Sequence, residues 1–137
     1  MEKGLITLKA AVAVVLGALS TLLGGWDVAL QVLVVLVVLD YISGVVAAFH
    51  LKEVSSYKGF WGIVKKIMLF VPVAVATMLD IVIGQEILRN LAIWFYIANE
   101  GISILENLGK VGVLVPPGIT DALEQLKGKG GKQSGQN

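Results

Sequence analysis

Two apolar runs, Leu5–Leu23 and Val28–Phe49, follow one another with only the turn Gly24-Gly25-Trp26-Asp27 between them. Each is close to the roughly 20 residues that a helix needs to cross a bilayer. A soluble chain of 137 residues has too little interior to hide them, since 56% of all its residues are hydrophobic and a soluble domain reaches about 45–50% even with glycine counted. A bilayer accepts such surface, and in it backbone polar groups must bond within the segment, which selects helices. The expectation is an all-α integral membrane protein.

Two more stretches extend the pattern. Ile67–Gly84 is apolar around Pro72 and Asp80, and a proline is tolerated in a span whose neighbours satisfy the freed carbonyl. Ile87–Leu108 is long enough but more polar. Pro116 and Pro117 end it. Ile119, Leu123 and Leu126 then recur on one side of a short amphipathic helix, before a tail of lysine and glycine. The organisation expected is helical hairpins with about four transmembrane helices, the last one amphipathic. Residues 1–126 form the membrane-embedded domain, and 127–137 form a disordered basic tail. Lys3, Lys9, Ala18 and Ser20 imitate a signal peptide, but Leu22 and Leu23 carry the apolar run past the cleavage position and a full span follows at once.

Cytoplasmic loops are enriched in Lys and Arg. Lys52, Lys58, Lys65 and Lys66 lie between the second and third runs, and Lys110, Lys127, Lys129 and Lys132 follow the fourth. Four spans with both termini in the cytoplasm put every cation inside except Arg89. Three spans would export the tail lysines. A multi-pass protein with a basic cytoplasmic loop at Lys58, Lys65 and Lys66 is therefore expected.

At 100° per residue, Tyr96, Asn99, Glu100, Ser103, Glu106, Asn107 and Lys110 fall in one sector about 120° wide. Two readings compete for this stripe. It packs against other spans or lies at the interface, or it lines water once several copies associate. Asp40 sits near the middle of the second span, where an ionised group costs about 2.5–3.5 kcal/mol to insert. It is either a contact that specifies assembly or a carboxyl satisfied between helices of one subunit. Asp80 and Arg89 flank the third-to-fourth turn, and a plain ion pair across that hairpin is expected. Ala13, Gly17 and Thr21 recur every fourth residue, as do Gly44 and Ala48; such faces let helices approach closely, within one chain or between chains.

Little else carries chemistry. One histidine, His50, and no cysteine leave no metal site of the usual spacing. No Gly-x-Ser-x-Gly elbow occurs, and Gly128-Lys129-Gly130-Gly131-Lys132 lacks the Gly-Lys-Ser/Thr ending of a phosphate loop. A net charge of +1 makes no case for nucleic acid. Neither an enzyme nor a cofactor is expected. The bilayer is the first partner.

Four blocks carry a resemblance. They are Asp40-Tyr41-Ile42-Ser43-Gly44 with Ala47-Ala48; Ser55-Ser56-Tyr57-Lys58-Gly59 with Gly62 and Lys65-Lys66; Asp80 with Leu88-Arg89; and Asn99-Glu100-Gly101-Ile102-Ser103-Ile104-Leu105-Glu106-Asn107 with Gly112 and Pro116. Together they resemble the toxin-secretion and phage-lysis holins of Gram-positive bacteria and their phages, a group that includes a clostridial toxin-export holin. The resemblance implies a protein of the bacterial cytoplasmic membrane that forms homo-oligomers and opens a lesion. Endolysin, or in some relatives a toxin, then crosses without binding stably. It also implies that the stripe on the fourth span is the functional surface. Other readings of the same residues are a small channel or transporter with Asp40 at its midplane site, and a non-conducting inhibitor of another holin.

Overall fold

Six helices follow one another in the computed structural model, which describes the backbone of residues 1–133 and the side chains of residues 1–128. Helix α1 spans Glu2–Leu22, α2 Val28–His50, α3 Ser56–Met68, α4 Phe70–Ile83, α5 Ile87–Lys110 and α6 Pro117–Gln133.

Local chemistry sets most of the boundaries. Asp27 caps α2, its carboxylate accepting from the Leu30 N–H at 3.0 Å, and Ser55 caps α3 by accepting from the Lys58 N–H at 3.4 Å. Between α3 and α4 only Leu69 leaves the regular helix, and its φ −64° and ψ −21° are still helical. Pro72 lacks an N–H and its ring crowds the carbonyl four residues back, that of Met68, which is where the regular helix lapses. Gly84, at φ 75°, ends α4 in the left-handed conformation. Pro117 opens α6, where a missing N–H costs nothing.

Among the described residues, three helices are long and apolar enough to cross a membrane: α1, α2, and the Ser56–Ile83 rod of α3 and α4. The third begins earlier than the sequence suggested, so Lys58, Lys65 and Lys66 sit on α3 and not in a basic loop; the true loop is residues 51–55. The expected fourth span, α5, is long enough at 24 residues but is not among the apolar three, because Arg89, Glu100, Glu106 and Lys110 interrupt it. The helix α6 continues past Leu126 into the segment expected to be disordered, and residues 134–137 of that segment lie outside the described ones.

Helix α5 is central. It packs against α2, α4 and α6. It runs parallel to α2, with Arg89 beside Asp27 at one end and Asn107 beside Asp40 and Ser43 towards the other. Between these ends lies an apolar cluster of Leu33 and Val37 from α2, Val73 from α4 and Ile93 from α5. Helix α1 stands apart. None of its residues is buried, and it packs only on α4. Most of the remaining surface of α2, α3 and α4 is exposed Val, Leu, Ile and Phe, which suits lipid.

Candidate functional site

The middle of the bundle holds a closed polar cluster. Asp40 comes from about 18 Å along α2, at 1.5 Å per residue. Glu100 and Asn107 are two turns apart on α5 and therefore share a face. Lys66, from the last turn of α3, supplies the cation. Its ammonium donates to Asp40 Oδ2 and, at 2.7 Å, to Glu100 Oε2. The Asn107 amide donates to Asp40 Oδ1 at 3.0 Å and to Ser43 Oγ at 3.0 Å. Both carboxyl side chains are 7% exposed and Lys66 is 18% exposed. No buried side-chain polar atom among the described residues lacks a partner. That completeness matters, because an unpaired polar group in such surroundings costs several kcal/mol (roughly 2–7).

Small residues make room for it. A Cβ on Gly44 would stand 3.5 Å from the Asn107 amide nitrogen, so α5 rides close on α2 there. Gly59 and Gly62 of α3 face the Tyr41 ring, whose hydroxyl donates to the Gly59 carbonyl at 3.5 Å. Ala48, Lys58 and Ser103 line the cleft beside the cluster. Gly17, by contrast, meets nothing within 4 Å.

A second polar cluster closes the other end. Asp80 was expected to pair with the Arg89 side chain. Its carboxylate instead caps α5, accepting from the Leu88 N–H at 3.0 Å and the Arg89 N–H at 2.8 Å. A helix start offers unpaired N–H groups and a positive dipole end, and it takes the nearby carboxylate. The Arg89 guanidinium turns the other way. It donates to Asp27 Oδ2 at 2.7 Å, to the Gly25 carbonyl at 3.0 Å and to the Leu23 carbonyl. The hydrogen bond from Arg89 holds the Asp27 carboxyl below its ordinary value. Gly24 lies directly under this side chain at φ 85°, and any Cβ there would overlap Arg89. Arg89 thus clamps the α1–α2 turn onto the start of α5.

The stripe on α5 is divided by its neighbours. Glu100, Ser103 and Asn107 face the α2–α3 side, while Tyr96 packs on the apolar cluster. Asn99 is half-buried, and Glu106 is exposed in a groove against α6. Ala98 and Gly101 are buried; a Cβ on Gly101 would come 2.9 Å from Leu123 of α6. Two participants were not assigned to these clusters from sequence, Lys66 and Asp27. The spacing Gly59, Gly62, Lys66 places Lys66 on the face of α3 that meets α2, and is the signal that identifies it.

This is a small helical membrane protein with three candidate spans that keeps its charged residues paired inside the bundle and shows apolar surface outside. The chain belongs to the bacteriophage holin family, whose model matches residues 17–128. It is 39% identical to a probable holin of Bacillus phage phi105, over 72% of this chain and 73% of that one. It is also 43% identical to an uncharacterised protein of Clostridium perfringens (strain 13 / Type A), over 94% of this chain and 97% of that one. A further relative, an uncharacterised 14.9 kDa protein of the nagH 3′ region in Clostridium perfringens, is 44% identical over 83% and 89% of the two chains. No solved structure matches the chain.

Proposed function

We propose that this holin accumulates in the bacterial cytoplasmic membrane in a closed form, then forms homo-oligomers that open a lesion wide enough for an endolysin or a toxin. Both termini are cytoplasmic and α5 is a fourth span. The parallel course of α5 beside α2 supports this, because a helix that accompanies a span over its length occupies the same depth. Two parallel spans need an odd number of crossings between them, and the α3–α4 rod supplies one.

The observation that carries the proposal is the burial of Glu100 and Asn107 against Asp40 and Lys66. In the closed form these groups cost little, since each has its partner. Parted by a rearrangement of α5, the same groups are suited to water and to nothing else in a bilayer. The closed form therefore stores the lining of an aqueous lesion inside a surface that lipid tolerates.

The test is induced expression in a bacterial host together with a cytoplasmic endolysin that has no signal peptide. Culture density and membrane potential are followed. Abrupt lysis after a delay, requiring both proteins, is expected. Depolarisation without endolysin release would replace the reading with a small channel. No effect on either would replace it with a non-conducting partner.

A further inference from the structure

Helix α1 is the one span that finds no place in the bundle. In its most apolar window 0% of residues are buried inside the chain, against 22% in each of the other two spans. It carries Lys9 within its apolar run, exposed and without an ion-pair partner among the described residues. Out of contact with α1, the helices α5 and α6 leave a groove of about 440 Å³ between them. Ile102, Leu105, Val113 and Leu114 give it apolar walls, and Glu106 and Glu124 give it two exposed carboxylates that also lack ion-pair partners among the described residues. Helix α1 packs on neither α5 nor α6 of its own chain.

The depths of the charges agree. The clamp from Arg89 to the Leu23 carbonyl holds the end of α1 level with the start of α5. Counting back from Leu23, Lys9 lies 23 − 9 = 14 residues down α1, and counting on from Arg89, Glu106 lies 106 − 89 = 17 residues down α5. At 1.5 Å per residue these are about 21 Å and about 25 Å. Side chains lean towards the N-terminus of their own helix. Lys9 therefore leans deeper and Glu106 leans back, which closes the difference. Copies side by side in one bilayer share their depth, so an ammonium and a carboxylate at the same level meet without either helix shifting along the membrane normal.

We infer that α1 of one copy docks in the α5–α6 groove of the next, with Lys9 set against Glu106 and Glu124. The two surfaces differ, so the contact is heterologous: each copy offers a helix on one side and a groove on the other. Such contacts propagate, closing into a ring or extending as an open array according to the angle between copies. The inference rests on the holin reading for its purpose, but the contact itself is tested without lysis.

The chain has no cysteine, which permits directed cross-linking. Leu5 is one turn from Lys9, and Gly109 is one turn from Glu106 with open space where a Cβ would go. The variant L5C/G109C, oxidised in membranes, should give a ladder of disulfide-linked oligomers, with little from either single variant. K9E in that background should cut the ladder about tenfold by setting like charges together; K9Q should cut it less, and K9E/E106K should recover it. All are compared at equal amounts of membrane-inserted protein. No ladder beyond the dimer from the double variant, as much dimer from L5C alone as from the double variant, or a ladder indifferent to K9E would each overturn the contact. A ladder with the expected charge dependence but no lysis would leave the contact standing and refute the holin reading.

Discussion

Replacing Lys66 by Met removes the cation that pairs with both Asp40 and Glu100 and keeps nearly the same side-chain length. Both carboxyl groups are left 7% exposed with no counter-charge. Breaking a buried pair by deleting one partner costs about 3–5 kcal/mol. At 1.4 kcal/mol per factor of ten that shifts the closed form's equilibrium by roughly a hundred- to a few thousand-fold. In bicelles the K66M variant should unfold at a lower denaturant concentration than the unaltered chain. In culture its lysis should begin early. An unfolding midpoint equal to that of the unaltered chain at pH 7, with unchanged lysis onset, would show that the cluster does not hold the closed form together.

Three further outcomes test the rest of the fold. Gly24→Ala meets both an unfavourable positive φ, worth about 1–2 kcal/mol, and the Arg89 side chain; a spin label on α1 should become more mobile relative to α5. The Asp27 carboxyl is held below its ordinary 3.8 by the hydrogen bond from Arg89. Its contribution is therefore fully present above that value and lost only as the pH falls through the depressed one, so the α1 label should stay unchanged from neutrality to about pH 4 and loosen below it. Gly101→Leu puts a side chain where Leu123 now lies; α6 should separate from α5 and become accessible to protease, while the variant stays in the membrane fraction.

The first two spans and the turn between them are legible because they follow from single-residue chemistry. Apolar runs of span length define α1 and α2, and the Gly24–Asp27 turn parts them, whereas the start of α3 at Ser56 and the lapse at Leu69 are not legible, because polar Lys58, Lys65 and Lys66 read as a loop and Pro72 as a tolerated residue within one run. The stripe on α5 is legible as a pattern, but its division among neighbours is not, since nothing in a 3.6-residue period says which flank meets α2 and which meets α6. Charge counting places Lys66 at the edge of a cytoplasmic loop for the same reason: it averages over a loop and does not see that one lysine on a helix points inward. Opposite charges near each other in sequence suggest an Asp80–Arg89 pair. The structure breaks it because two competitors are stronger, the open N–H groups of α5 for Asp80 and the carboxylate and carbonyls of the α1–α2 turn for Arg89. The second competitor lies 62 residues away in sequence and exists only after folding.

A buried ionic cluster is weak evidence for stability, because apolar residues of similar volume in such places are often neutral or stabilising by about 1–4 kcal/mol. In a bilayer the balance tilts further, since each central charge also opposes insertion by about 2.5–3.5 kcal/mol. The cluster of Asp40, Lys66 and Glu100 is therefore a poor way merely to hold three helices together, and its value lies in a state where these groups part. That separates two roles by one variant. Asp40→Leu, Lys66→Met and Glu100→Leu made together remove every charge at once and leave no orphan, unlike K66M alone. The triple variant should insert as well as the unaltered chain, unfold at an equal or higher denaturant concentration, and cross-link into oligomers. It should not release endolysin, because an assembly of such copies has lost the charges that hold water. Release with unchanged timing would assign the cluster to the architecture of the bundle alone and move the lesion's lining to another surface of the chain.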